Sequence, residues 1–208
     1  MFGFPKKDKS PFFELPKGQR SVYENLHNLV LRLSGEQFAL LAEASEKWRS
    51  IKHREFRHLF RKDAKLRDLF LECVALQCVI LFRTACLSRY SDHADYITNG
   101  VIQEVAIHFS KSIRQDFLFV RNQITSNVEV LSRCKEFRSE EPLDAFKNST
   151  LLGLHAAKVC ALLDVAPFSA ESMLMINAEH AHILTIFESK QYEDQVQRSA
   201  PAIVLSQL

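Results

Sequence analysis

Residues Leu69 to Leu87, LFLECVALQCVILFRTACL, are apolar on every side of a helix instead of along one stripe. A helix with no polar face must be surrounded, by other helices or by lipid. Glu72, Gln77 and Arg83 decide between the two. They interrupt the run and leave ten residues between the charges, whereas a bilayer span needs about 20 predominantly apolar residues. Glu72 and Arg83 lie eleven positions apart, close to three helical turns, so they share a face. A polar line on an otherwise apolar rod predicts the buried centre of a helical bundle, with no transmembrane segment. Because a buried charge without a partner is strongly destabilising, Glu72 and Arg83 each require a counter-group or an exit to the surface.

The remaining pattern also points to helices. The chain holds 5 Gly and 6 Pro in 208 residues, below the usual shares of about 7% and 5%, which favours long elements over many tight turns. The expected fold is all-α, a single-domain bundle of five to seven helices with a buried central helix at residues 65–90. An extended arm rich in Pro, Phe and Lys (residues 1–19) precedes the helical domain (20–197), and a short apolar tail (198–208) follows it. A first helix is expected from Ser21 to Leu33. Ser34-Gly35-Glu36-Gln37 then matches a capping box, opening a second helix with Phe38, Leu41, Ser45, Trp48 and Lys52 on one stripe. Apolar residues from Ile102 to Leu131 recur every three or four positions, predicting one helix over Val101–Phe137. Pro142 suits the first turn of a helix reaching Leu163, with a small-residue stripe at Gly153, Ala156 or Ala157, and Cys160. Ser169 is a candidate N-cap for a last helix over residues 170–195.

Five cysteines, an odd number in mostly apolar surroundings, read as buried thiols of a reducing compartment. The first residues carry lysines but no continuous apolar core behind them. Both readings place the chain in the cytoplasm.

Candidate chemistry is sparse. Glu179 and His182 form a Glu-x-x-His pair, which sets a carboxylate and an imidazole on one helix face. Glu104 with His108 is an i, i+4 pair, and Glu72 is a lone buried carboxylate. These five residues define the metal-binding alternative, a metal-dependent helical bundle. Ferritin-like di-iron bundles use two Glu-x-x-His pairs, and this chain has one. The bland reading makes Glu179–His182 a surface hydrogen bond and His180 a core histidine. Arg20 and His27 stand at the Arg–six–His spacing found in HEPN-type ribonucleases, but no strong polar residue follows the arginine. C-x-x-C, H-E-x-x-H, G-x-S-x-G and Walker patterns are absent from the sequence, and five scattered glycines cannot build a phosphate cradle.

The net charge of +2 hides an asymmetry: +6 over residues 1–70, +1 over 71–138 and −5 over 139–208. The excess concentrates between Lys47 and Arg67. Lys47, Lys52, Arg54, Arg57, Arg61 and Lys65 are candidates for binding a polyanion or an acidic partner, nucleic acid included, or for pairing with the acidic C-terminal third. With no complete catalytic constellation, the leading expectation is a non-enzymatic helical interaction or regulatory protein. It would act with a protein partner or as a homo-oligomer, and needs no cofactor.

Overall fold

The computed structural model describes residues 21–45, 47, 60–137 and 150–206. Among these, seven α-helices and one short 3-10 turn form an all-α bundle. The helices are α1 (Glu24–Ala44), α2 (Ala64–Cys86), α3 (Ala94–Ile113), α4 (Phe117–Ser132), α5 (Leu151–Leu163), α6 (Ala170–Glu188) and α7 (Gln191–Leu205). The 3-10 turn, Ser91–His93, lies between α2 and α3. The arm at 1–19, the stripe positions Trp48 and Lys52, and Pro142 lie outside the described residues.

Helix α2 is the centre. Its first turn is fixed by Asp63, whose carboxylate accepts from the Leu66 N–H at 3.1 Å and so satisfies one of the open donors of the helix start. Every residue from Leu69 to Leu81 is buried, as an all-round apolar rod demands. It packs against α1, α3, α4, α5 and α7. By length and composition α2 is also the one described helix able to cross a membrane, but 78% of its most apolar stretch is buried inside the bundle. Beside it four rings interlock: Phe70 stacks on Phe109 with centroids 4.9 Å apart, while Phe60 meets Phe38 and Phe109 edge-on.

Three differences from the expected boundaries change the number of helices. Residues 21–44 do not hold two helices, because Ser34 caps nothing. Its hydroxyl bonds back to the Val30 carbonyl at 2.7 Å, and α1 runs through Gly35 with Leu33, Phe38 and Leu41 buried on one side. The expected helix over 101–137 is two helices. Arg114 adopts a left-handed conformation with φ 57°, its N–H closing on the Ser110 carbonyl, and Asp116 starts α4 by accepting from the Phe119 N–H at 3.0 Å. The apolar period continues across the corner because Ile113 and Val120 both return to the core. The last expected helix ends earlier, at Glu188, with Lys190 left-handed. The tail then belongs to α7, which carries Val196, Ala200 and Ile203 into the core. The Ser169 cap forms, accepting from the Ser172 N–H at 3.1 Å.

Helix α5 starts at Thr150, whose hydroxyl accepts from the Gly153 N–H at 3.0 Å. Gly153, Ala156 and Cys160 are buried on it. Helix α6 lies chiefly against α1, with lesser contacts to α7 and α5. Gly100, inside α3, faces the ring of Tyr23, and a Cβ there would run into that ring. Gly100→Ala is therefore expected to destabilise the fold by about 1–3 kcal/mol through overpacking. Urea unfolding of Gly100→Ala and of the Gly100→Ala/Tyr23→Ala double variant checks this. The alanine at position 100 should be far less harmful once the ring is gone.

Candidate functional site

A line of polar side chains crosses the apolar interior. Glu72 and Gln77 come from α2, Gln37 from α1, His155 and Lys158 from α5, Glu179 from α6 and Tyr192 from α7. Gln37, Gln77, His155 and Glu179 are fully buried, and Glu72 and Tyr192 nearly so.

The donors run in one direction. The Tyr192 hydroxyl donates to Gln77 Oε1 at 2.9 Å, and Gln77 Nε2 donates to Gln37 Oε1 at 2.9 Å. Gln37 Nε2 then donates to Glu179 Oε1 at 2.5 Å. From the other side His155 Nε2 reaches the same oxygen at 2.8 Å. Gln37 Nε2 and His155 Nε2 lie 3.1 Å apart. With His155 protonated both are donors, and both are served by the shared carboxylate oxygen. The opposite edge of the ring, Nδ1, faces Glu72 Oε1 at 3.6 Å, within ion-pair range and beyond a direct hydrogen bond. Lys158, half-buried, closes the line at 3.3 Å from Glu72 Oε2.

Burial alone would drive the proton off His155, but Glu179 and then Glu72 outweigh it and raise the imidazole pKa to about 9. Burial likewise opposes the charge on Glu179, while His155 and Gln37 hold its pKa below the ordinary value. The line thus sets the His155 ring between two carboxyl groups, with Lys158 at its end. Such an imidazolium is a weak acid with both edges occupied by carboxylates, and it is not poised as a base.

The expected site residues are distributed differently from the expectation. Glu72 and Glu179 do come together, through His155. They sit at opposite edges of the ring, which keeps them from closing on one ion. Glu179 is fully buried, not on the helix surface, and it does not pair with His182. His182 turns toward the Leu33 backbone, and burial lowers its pKa. His108 Nδ1 donates to the Glu104 backbone carbonyl at 2.9 Å, so that pair meets through the main chain. Its ring stacks on His27 at 4.5 Å. Burial and the neighbouring His108 lower the His27 pKa to about 4. His180 is half-buried, and Arg20 lies outside the described residues. Among the described residues no group of three His, Cys, Asp or Glu side chains is arranged to hold a metal ion. None of the five cysteines is in a disulfide. Burial raises the pKa of each thiol, Cys78 to about 12 and Cys160 to about 11, which leaves little thiolate for nucleophilic chemistry.

Arg83 finds its partner in the Cys134 backbone carbonyl. His155, Lys158, Gln37 and Tyr192 escaped the sequence reading. The available signal was the same one that exposed Glu72, a titratable residue inside an apolar helix, LLGLHAAKVCALL.

Of the basic candidates, Lys52, Arg54 and Arg57 lie outside the described residues. Lys65 pairs with Asp164 at 2.5 Å, both largely exposed, and Lys47 adds to the positive field on the same carboxylate. Arg61 Nε donates to the Ser112 carbonyl at 3.0 Å, at the end of α3. Arg61 and Lys62 are exposed there, with Lys111, Arg114 and Arg121 around the α3–α4 corner. No family model, curated protein or solved structure matches this chain.

The His155 charge predicts a pH optimum of stability. Its folded pKa lies above the unfolded value of about 6.5, so its contribution is complete below about 6.5 and disappears as pH rises through about 9. His27 and His182 have lowered folded pKa values, so the fold loses stability as pH falls below about 6.5, and Glu179 adds to that loss at lower pH. Urea-unfolding free energy is expected to peak near pH 6–7. In His155→Gln the decline between about pH 6.5 and 9 should flatten, while the loss above it, from thiols whose pKa burial raises, remains. An unchanged decline between about pH 6.5 and 9 would refute the buried imidazolium. Separately, Glu179→Gln leaves His155 short of a countercharge and is expected to destabilise by about 3–5 kcal/mol, measured by the same titration.

Proposed function

We propose that this chain is a non-enzymatic interaction protein of the cytoplasm that engages a polyanionic or acidic partner through its basic end. One observation carries the reading. Arg61, Lys62, Lys111, Arg114 and Arg121 are exposed around one corner of the bundle. Among the described residues, Asp63 and Asp116 direct carboxylate oxygens at the helix starts of α2 and α4. Lys62, Lys111, Arg114 and Arg121 are exposed at the corner, while Arg61 and the two aspartates are engaged by backbone groups. Arg61 and Lys62 belong to the basic segment 47–67.

The interior supports the same reading. Glu72, His155 and Glu179 are buried together, and their contacts are with one another, Gln37 and Lys158. The thiols, none of them bridged, suit a reducing compartment.

Retention on heparin, a generic polyanion, tests the proposal. Binding should weaken steeply with salt, as displacement of counterions requires. Lys62→Glu/Lys111→Glu/Arg121→Glu should lower affinity by about tenfold or more, since each cation contributes on the order of 1 kcal/mol at an anionic surface. The circular dichroism of the variant should match the parent, because all three side chains are exposed. Retention that ignores both salt and charge reversal would refute the reading.

A further inference from the structure

At the centre of the basic corner the chain exposes two large apolar side chains. Leu118 and Phe119, in the first turn of α4, are 56% and 46% exposed, although the neighbouring Val120 is fully buried. The turn is held rigidly. Arg114 and Gln115 both return N–H groups to the Ser110 carbonyl, and the Asp116 cap fixes the direction in which α4 leaves. The two apolar side chains are thus displayed by built structure.

Their surroundings name the surface they fit. Lys111 and Arg114 precede the pair within two turns, Arg121 follows it by one turn of α4, and Arg61 is tied to the same corner at the Ser112 carbonyl. Aliphatic and aromatic tips inside a rim of Lys and Arg match the boundary of a bilayer bearing anionic headgroups. The tips enter the acyl boundary while the cations meet the headgroup charge. An acidic protein would answer the cations but would need an apolar pocket of its own, set among its acids, to take the two tips. Nucleic acid would stack on Phe119 and leave Leu118 without a role. Leu174, Leu184 and Phe187, exposed on α6, lie on a helix whose charges include Glu171 and Glu188, the wrong sign for an anionic surface.

We infer that the α3–α4 corner is a peripheral docking tip for an anionic lipid surface, with Leu118 and Phe119 inserting and Lys62, Lys111, Arg114 and Arg121 contacting headgroups. The inference rests on the polyanion reading above and specifies its partner.

Co-sedimentation of the full chain with phosphatidylcholine vesicles, with and without phosphatidylserine, tests it. Binding is expected only to the anionic vesicles. Leu118→Ser/Phe119→Ser should weaken it by about tenfold or more while leaving heparin binding unchanged. As a second readout, an environment-sensitive fluorophore on Leu118→Cys, in a Cys86→Ser background that removes the exposed native thiol, should shift to the blue on anionic vesicles alone. Vesicle binding indifferent to the Leu118/Phe119 change, or a label that stays in water, overturns the inference. Heparin binding without vesicle binding overturns it and leaves the polyanion reading standing. Single-stranded RNA binding that depends on Phe119, without vesicle binding, replaces lipid with nucleic acid. No binding to vesicles, heparin or RNA removes both readings.

Discussion

The His155 imidazolium between Glu72 and Glu179 is the constraint on which the arrangement of helices depends. Helix α2 is apolar all round, so burial by itself does not say which of its faces meets which neighbour. Many rotations of the rod would remove a similar apolar area from water, and the free energy of that burial is non-directional. The polar side chains break the degeneracy. Glu72 must meet α5, where His155 and Lys158 wait, and Gln77 must meet Gln37 of α1 and Tyr192 of α7. Arg83 must reach the chain just beyond α4, at Cys134. Any other rotation strands a buried charge, which is destabilising by several kcal/mol. The apolar surface supplies the stability of the bundle, and the polar line supplies its register.

Local patterns carried much of this architecture. The all-round apolar character of α2 is a property of consecutive residues, and its interruptions already announced that partners were needed. Ser169 acted as its cap position suggested. What failed was local in appearance and tertiary in cause. Ser34 has the chemistry of an N-cap, but packing of Leu33, Phe38 and Leu41 on one side of a single helix dominates, and its hydroxyl is satisfied by Val30 instead. The break between α3 and α4 was hidden because Arg114 takes the left-handed corner that glycine would have advertised. Arg114, Asp164, Phe168 and Lys190 all have positive φ, so scarcity of glycine did not mean scarcity of corners. Each such residue costs about 1–2 kcal/mol relative to ordinary helical geometry, a cost the packing on both sides of the corner offsets.

The buried line was half legible for a different reason. Glu72 and Gln77 stood out against an apolar background, and Glu179 was noticed through a motif whose second member, His182, has another role. His155 stood out in the same way in α5, but the pairing joins positions 83 and 24 residues apart, from Glu72 to His155 and from His155 to Glu179. No spacing rule reaches across those separations. Gln37 was read at the level of a helix start, when its role is to carry a hydrogen bond from Gln77 to Glu179 across the bundle.

Helix-end chemistry links this interior to the surface. Open N–H groups at helix starts attract carboxylates, and open carbonyls at helix ends attract cations. Asp63 and Asp116 answer the starts of α2 and α4, and Arg61 answers the end of α3. An acid that caps a helix start points toward the backbone, while a lysine or arginine on the outer turn keeps its charge in water. Where α3 and α4 meet end to start, Asp116 caps α4 and Arg61 answers the end of α3, while Lys111, Arg114 and Arg121 are exposed around them. Elsewhere the basic excess is partly answered by the acidic third of the chain, as at Lys65 and Asp164, an exposed pair that contributes little to stability but reduces the local field. The cations exposed at the α3–α4 corner thus stand beside acids that serve the chain's own helix starts.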